Sequence, residues 1–199
     1  AQQDYQKNLW DNLTSYSDYS GNKPALQARL SKVTNIQESL PEGIQKLQSL
    51  SDHIDNNAKV LPARSKEIMT RDLSNLHADF EKFSAALTDV KSGLENRMQQ
   101  WGDYEVNLDQ LITWLGESEN ALKNYNPKST TEEKEDQLNK FQTLAYNLKQ
   151  KEVELEKIKD DSSELIQSSG ETRIAVNVQQ VTSRFQSIQA TTKEILKKC

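Results

Sequence analysis

The 199 residues are 34% apolar and 28% charged, with only six glycines and four prolines. That mix suits helices with a narrow buried stripe and a wide wet face, and leaves little material for a thick globular core. A formal net charge of −5 argues against nucleic acid, whose phosphates need clustered Lys and Arg, and against an anionic membrane surface. No apolar run exceeds three residues, so neither a membrane span nor a secretory core is expected. The single cysteine, Cys199, has no internal partner, which favours a reducing compartment.

The first stretch is aromatic, with Tyr5, Trp10, Tyr16 and Tyr19. Leu9, Trp10, Leu13 and Tyr16 share one helical face, so a helix is expected to about Ser17. Ser20-Gly21-Asn22-Lys23-Pro24 then reads as a turn. From Pro24 a seam follows the alternating four-and-three spacing of a coiled helix: Leu26, Leu30, Val33, Gln37, Leu40, Ile44, Leu47, Ser51, Ile54, Ala58 and Leu61. Pro41 falls inside it, where a proline removes one backbone bond and crowds the carbonyl four residues back. The seam keeps its register across Pro41, which favours a kink over a separate element.

The organising element is the next helix, expected over residues 69–125. Its seam runs Met69, Leu73, Leu76, Phe80, Phe83, Leu87, Val90, Leu94, Arg97, Trp101, Tyr104, Leu108, Leu111, Leu115, Ser118, Leu122 and Tyr125, and only Arg97 and Ser118 break the apolar series. A helix of that length spans roughly 85 Å, about twice what one small bundle needs, so it is expected to leave one bundle and enter the next. Gly93 and Gly102 weaken it by up to about 1 kcal/mol each relative to Ala, and any bending is expected there. Asn126-Pro127-Lys128-Ser129 is a turn, and Thr130 or Thr131 ahead of Glu132, Glu133 and Glu135 resembles a helix start. The fourth helix carries Leu138, Phe141, Leu144 or Ala145, Leu148, Leu155 and Ile158, and is expected to end near Gln167. A last seam runs Ile174, Val178, Val181, Phe185, Ile188, Thr192, Ile195 and Cys199.

The pattern repeats at about 105 residues. Leu30, Val33, Ile36 and Leu40 match Leu138, Phe141, Leu144 and Leu148; Leu73, Leu76, Phe80, Phe83 and Val90 match Val178, Val181, Phe185, Ile188 and Ile195; Trp10 matches Trp114. Each unit is three helices, and the third helix of one runs into the first of the next. The segment Leu108-Asp109-Gln110-Leu111-Ile112-Thr113-Trp114-Leu115-Gly116-Glu117-Ser118-Glu119 is similar to the first-helix signature of spectrin repeats. In that family a second tryptophan usually stands on the third helix. Phenylalanines stand at the corresponding positions here, Phe80 and Phe185. Trp10 lacks the following leucine, so the first helix of unit one matches less well.

The Gln-, Asn- and Ser-rich sequence, above all residues 170–198, most resembles the rods of the giant nesprins. Dystrophin-like and plakin-like rods are nearby alternatives. The nesprin resemblance implies a cytoplasmic rod, anchored at the outer nuclear membrane by a distant tail and reaching actin at its other end. It also implies a cytoskeletal partner, an actin regulator such as a formin. The Ala-Gln-Gln start and Lys-Lys-Cys stop, both in helix-like sequence, read as a piece of a longer protein.

Nothing in the pattern suggests catalysis. His53 and His77 lie on different helices beside exposed-looking positions, no glycine-rich phosphate loop exists, and no Cys/His spacing suggests zinc. No catalytic, metal or cofactor residue and no cofactor is therefore expected. A helical-bundle enzyme would need inward-facing Glu and His ligands, which these seams lack. A membrane-associating helical bundle would need a basic concave face, which the charge pattern does not offer. Acidic residues abound on the fourth helix, but Lys149, Lys151, Lys157 and Lys159 sit among them. The bland reading is a solvated face of i to i+4 pairs; the sharper one is a docking surface for a basic partner built on Glu152, Glu156 and Asp160. Arg97, Trp101 and Tyr104 are expected at the inter-repeat junction, either packing it or anchoring a partner.

The expected fold is therefore all-α, two tandem spectrin-like three-helix left-handed coiled-coil bundles over residues 1–100 and 101–199, joined by one continuous helix. The expected role is a structural rod and docking segment, monomeric, with no nucleic acid and no direct membrane contact.

Overall fold

The computed structural model describes residues 2–57, 59, 60 and 62–198, with the side chains of Gln2, Gln3 and Tyr5 outside that description. The seam positions Ala58, Leu61 and Cys199 lie outside the described residues. Among the described residues there are five helices: α1 (Gln2–Tyr16), α2 (Lys23–Asn56), α3 (Ala63–Lys123), α4 (Thr131–Ser169) and α5 (Thr172–Lys198). The chain divides into two compact units, Ala1–Met98 and Gln99–Cys199. The division falls inside α3, which runs for 61 residues without interruption.

The helix ends follow from local chemistry. Asn22 caps α2, its side chain accepting from the Ala25 amide at 3.1 Å, and Pro24 sits in the first turn, where a missing N–H costs nothing. Thr130 caps α4 by accepting from the Glu133 amide at 3.2 Å. Gly170 closes α4 in the left-handed region at φ 70°, its amide bonded to the Ile166 carbonyl at 2.8 Å. The helix therefore continues two residues beyond the expected end near Gln167. Helix α3 starts earlier and ends slightly earlier than the seam suggested. Tyr125 falls in the following loop, with its ring edge-on to Phe141 at 5.7 Å between centroids.

In unit 1 the buried set is Leu26, Val33, Leu40 and Leu47 of α2 and Phe83, Leu87, Val90 and Leu94 of α3, with Leu13 from α1. Trp10 of α1 meets Phe83 edge-on at 5.4 Å, and the Lys91 ammonium of α3 donates to Gln37 of α2 at 3.0 Å. Helix α2 passes through Pro41 without a break. Two seam positions are nevertheless exposed: Ile44, in the middle of α2 between buried Leu40 and Leu47, is 47% exposed, and Met69, near the start of α3, is 40% exposed. Both were expected inside.

In unit 2 the buried set is Trp101, Tyr104, Leu111 and Leu115 from α3, Phe141, Leu148, Leu155, Ile158 and Leu165 from α4, and Ile174, Val178, Val181, Phe185, Ile188 and Ile195 from α5. Ser118, Ser162 and Thr192 are buried with them. Thr192 donates to the Ile188 carbonyl at 2.7 Å and Ser162 to the Lys159 carbonyl at 2.8 Å, so the buried hydroxyls of these two residues are satisfied along their own helices.

Trp10 meets Phe83, while Phe80 lies over Gly43, where an added Cβ would sit 3.2 Å from two of its ring carbons. Gly93 is more than a weak point in α3: Tyr19, from the loop between α1 and α2, lies against its backbone, and an added Cβ there would meet the Tyr19 ring and hydroxyl.

Candidate functional site

The backbone of α4 carries a buried stripe at Phe141, Leu148, Leu155, Ile158, Ser162 and Leu165. With 100° per residue, the opposite side of the helix is traced by Tyr146, Val153, Asp160 and Glu164. Tyr146 is 61% exposed and Val153 71%, two large apolar groups one heptad apart on the wet face. Glu152, Glu156 and Asp160 are all exposed beside them. Glu156 is held by Lys159 at 3.3 Å and Glu154 by Lys151 at 3.1 Å. Glu152 and Asp160 enter no ion pair among the described residues. The three carboxylates thus share one helix and one side of it, with only one of them neutralised.

Burial pushes the Asp161 carboxyl above its ordinary range; Lys157 works against that shift, while Glu164, Asp103 and Asp160 add to it. The Gln100 amide of α3 donates to Glu164 at 3.0 Å. Lys151 extends over the Trp114 ring at 5.9 Å, so its charge is spent on the bundle side.

Trp101 and Tyr104 are core residues of unit 2, 5% and 4% exposed. Neither the indole N–H nor the phenol oxygen has a hydrogen-bond partner within the described protein. Burial raises the Tyr104 pKa, with Glu105 adding to the effect. Arg97 belongs to unit 1 and is partly exposed. His53 is exposed and its carbonyl accepts from the Asn57 side chain at 2.8 Å. Among the described residues, no group of three or more His, Cys, Asp or Glu side chains is placed to hold a metal ion. No helix there is long and apolar enough to cross a membrane.

Comparison with known proteins gives the family: the profile described as spectrin repeat matches residues 97–198, which cover the part of α3 from Arg97 onwards, α4 and α5. The chain belongs to the spectrin-repeat family. Spectrin repeats are structural modules, and in the second unit half-buried Trp114 packs against Phe185 with ring centroids 6.5 Å apart. The chain is also 75% identical, over all 199 of its residues, to muscle-specific protein 300 kDa of Drosophila melanogaster. It spans 2% of that relative's length, so this spectrin-repeat segment corresponds to a small slice of a very large protein.

Sequence reading missed the contacts that tie the elements together away from the seams. Glu119 of α3 and Arg184 of α5 form a two-pronged ion pair, with the Arg184 Nε donating at 3.2 Å and its Nη2 to the other carboxylate oxygen. The pair is separated by 65 residues, and neither residue lies on an apolar seam, so periodicity carries no signal for it. Arg29 similarly donates to the carbonyls of Asp18 and Ser20, pinning the loop that delivers Tyr19.

Proposed function

We propose that this segment is a structural rod and docking element of a giant cytoskeletal linker of the nesprin type, one that connects the nuclear envelope to actin. The observation that carries the reading is α3. It runs unbroken across the division between two repeat units, a connection that lets tension pass along backbone hydrogen bonds rather than through a flexible linker. The 75% identity to a slice of a giant muscle protein supports a role for the segment within a long tandem array. The docking half of the proposal rests on Glu152, Glu156 and Asp160, and the partner class is a cytoskeletal protein such as an actin regulator of the formin type. The segment acts as a monomer.

The test is capture from muscle lysate with the 199-residue chain as bait, beside a triple variant with Glu152, Glu156 and Asp160 each changed to Lys. A cytoskeletal protein retained by the first and lost by the second is the expected result. Retention of no cytoskeletal protein by either would leave only the structural role. Imaging a tag placed beside this segment in the parent protein tests the nuclear-envelope half; a signal excluded from the nuclear periphery would overturn it.

A further inference from the structure

The exposed side of α4 combines two features that a merely solvated helix does not need. Tyr146 and Val153 are large, apolar and more than half exposed, and seven residues separate them, two helical turns or about 10 Å of rise. Anchors with that spacing match the repeat of a second helix lying alongside. Around them the charge is unbalanced. From position 146 to 164, α4 has six carboxylates (Glu152, Glu154, Glu156, Asp160, Asp161, Glu164) against four lysines (Lys149, Lys151, Lys157, Lys159). Lys151 and Lys159 are already engaged with Glu154 and Glu156, and Asp103 of α3 adds negative charge beside Asp161.

We propose that the Tyr146–Val153 stripe of α4 seats an amphipathic, lysine- or arginine-rich helix from another protein. The apolar residues of that helix would cover Tyr146 and Val153, and its cations would face Glu152, Asp160 and Glu164. This deepens the docking reading above and rests on it. A second copy of this chain is a poor occupant. An antiparallel copy that set Tyr146 against Val153 would put Asn139 against Asp160 and Glu135 against Glu164, supplying no cation to either. A parallel copy would stack each carboxylate on itself. Anionic lipid and nucleic acid are repelled by the same charges.

The test uses the whole 199-residue chain and three labelled synthetic peptides of about 21 residues, three heptads long. One has leucines on a heptad stripe among lysines, the second has the same composition scrambled, and the third replaces lysine by glutamate. Binding is read by fluorescence anisotropy at two salt concentrations. The patterned basic peptide is expected to bind, and both controls to bind at least about tenfold more weakly. The double variant Tyr146→Ser/Val153→Ser, both at exposed positions, should lose about tenfold in affinity while its circular dichroism melting curve is unchanged. Equal binding of the scrambled peptide, or full affinity in the double variant, would overturn the apolar stripe while leaving an acidic docking face intact. Binding of none of the peptides would overturn the inference, and lysate capture would then judge the docking reading separately. Sedimentation showing a dimer that the double variant abolishes would assign the stripe to a second copy instead.

Discussion

The ring of Tyr19 occupies the space a side chain at Gly93 would need: a Cβ built there would lie 2.6 Å from the phenol oxygen and 2.7 Å from Cε1. Gly93 therefore has a packing reason that outweighs its poor helix propensity. The loop is held for this contact by Arg29, which donates to the Asp18 carbonyl at 2.8 Å, and by Asp18, whose side chain accepts from the Ser20 amide at 2.9 Å. Gly93→Ala is expected to destabilise unit 1 by about 1–3 kcal/mol through overpacking. In a Tyr19→Ala background the same change should reverse sign and stabilise by up to about 1 kcal/mol, because only helix propensity remains. Urea unfolding of the four members of this cycle checks it, and a Gly93→Ala cost unchanged by Tyr19→Ala would refute the contact.

The two phenylalanines of α3 separate in the same way. Phe83 is 3% exposed and meets Trp10 edge-on, whereas Phe80 is only partly buried and lies over Gly43. Phe83→Ala should cost about 3–5 kcal/mol and Phe80→Ala clearly less. Chemical denaturation monitored by tryptophan fluorescence distinguishes them, since Trp10 reports on the first substitution directly.

That ordering shows how far the sequence carries. A period of 3.5 residues was enough to place α2, α3 and α5, to bury Leu26, Val33, Leu87, Leu94, Leu111 and Phe185, and to predict that α3 spans two units. Periodicity encodes which face is apolar, so it captures what is repeated along a helix. It carries no information on which of two neighbouring seam residues, Phe80 or Phe83, a distant tryptophan meets. Nor does it register Tyr19 on Gly93, where a loop residue meets a missing side chain. Met69 followed the seam but lies near the start of α3, and Ile44 is exposed in the middle of α2 between buried Leu40 and Leu47, which the period alone does not foresee. On α4, the shared exposed side of Glu152, Glu156 and Asp160 was legible from spacing alone. The exposure of Tyr146 and Val153 beside them was not, because apolar residues away from a seam look like noise until the opposite helices are in place.

The Glu119–Arg184 pair makes a pH prediction. The Arg184 hydrogen bonds and charge hold the Glu119 carboxyl below its ordinary range, against a smaller opposing effect of burial. A carboxyl with a depressed folded pKa contributes stability that is fully present above its unfolded pKa and is lost as pH falls through the folded one. Side-chain exposure of 37% for Arg184 and 41% for Glu119 lets solvent screen the pair, so the contribution is about 1 kcal/mol or less. Glu119→Gln should lower the melting temperature slightly at pH 7 and flatten the acid limb of stability against pH. An acid limb identical to that of the parent chain would show that the pair contributes nothing.

Asp161 works in the opposite direction. Its pKa is raised first by burial and then by Glu164, Asp103 and Asp160, with Lys157 only partly compensating. The folded state therefore favours the protonated acid, and the ionised form is a penalty that sets in as pH rises above the unfolded pKa and is complete above the folded one. Asp161→Asn should stabilise unit 2 modestly at pH 7 and lose that advantage in acid. Thermal melts at neutral and acid pH check both halves, and a variant less stable than the parent at pH 7 would overturn the assignment.

Pro41 gives the last prediction. It stands on the exposed side of a helix that continues unbroken from Lys23 to Asn56, so no partner in the bundle requires its ring. The missing N–H leaves the Gln37 carbonyl without its helical donor, and the ring crowds that same carbonyl. The Gln37 side chain, on the same turn, is engaged with Lys91 at 3.0 Å, which ties the affected turn to α3 and keeps the seam in register through Leu40 and Leu47. Replacing Pro41 by Ala restores the backbone bond and removes the crowding, worth up to about 3 kcal/mol in a helix interior. The substitution also loosens the unfolded chain, which returns up to about 1 kcal/mol. The balance is a net stabilisation of about 1–2 kcal/mol. Urea unfolding should show a higher midpoint with an unchanged slope, together with slower amide exchange at residues 41–45. A lower midpoint would mean that Pro41 stabilises α2 as it stands and would overturn the prediction.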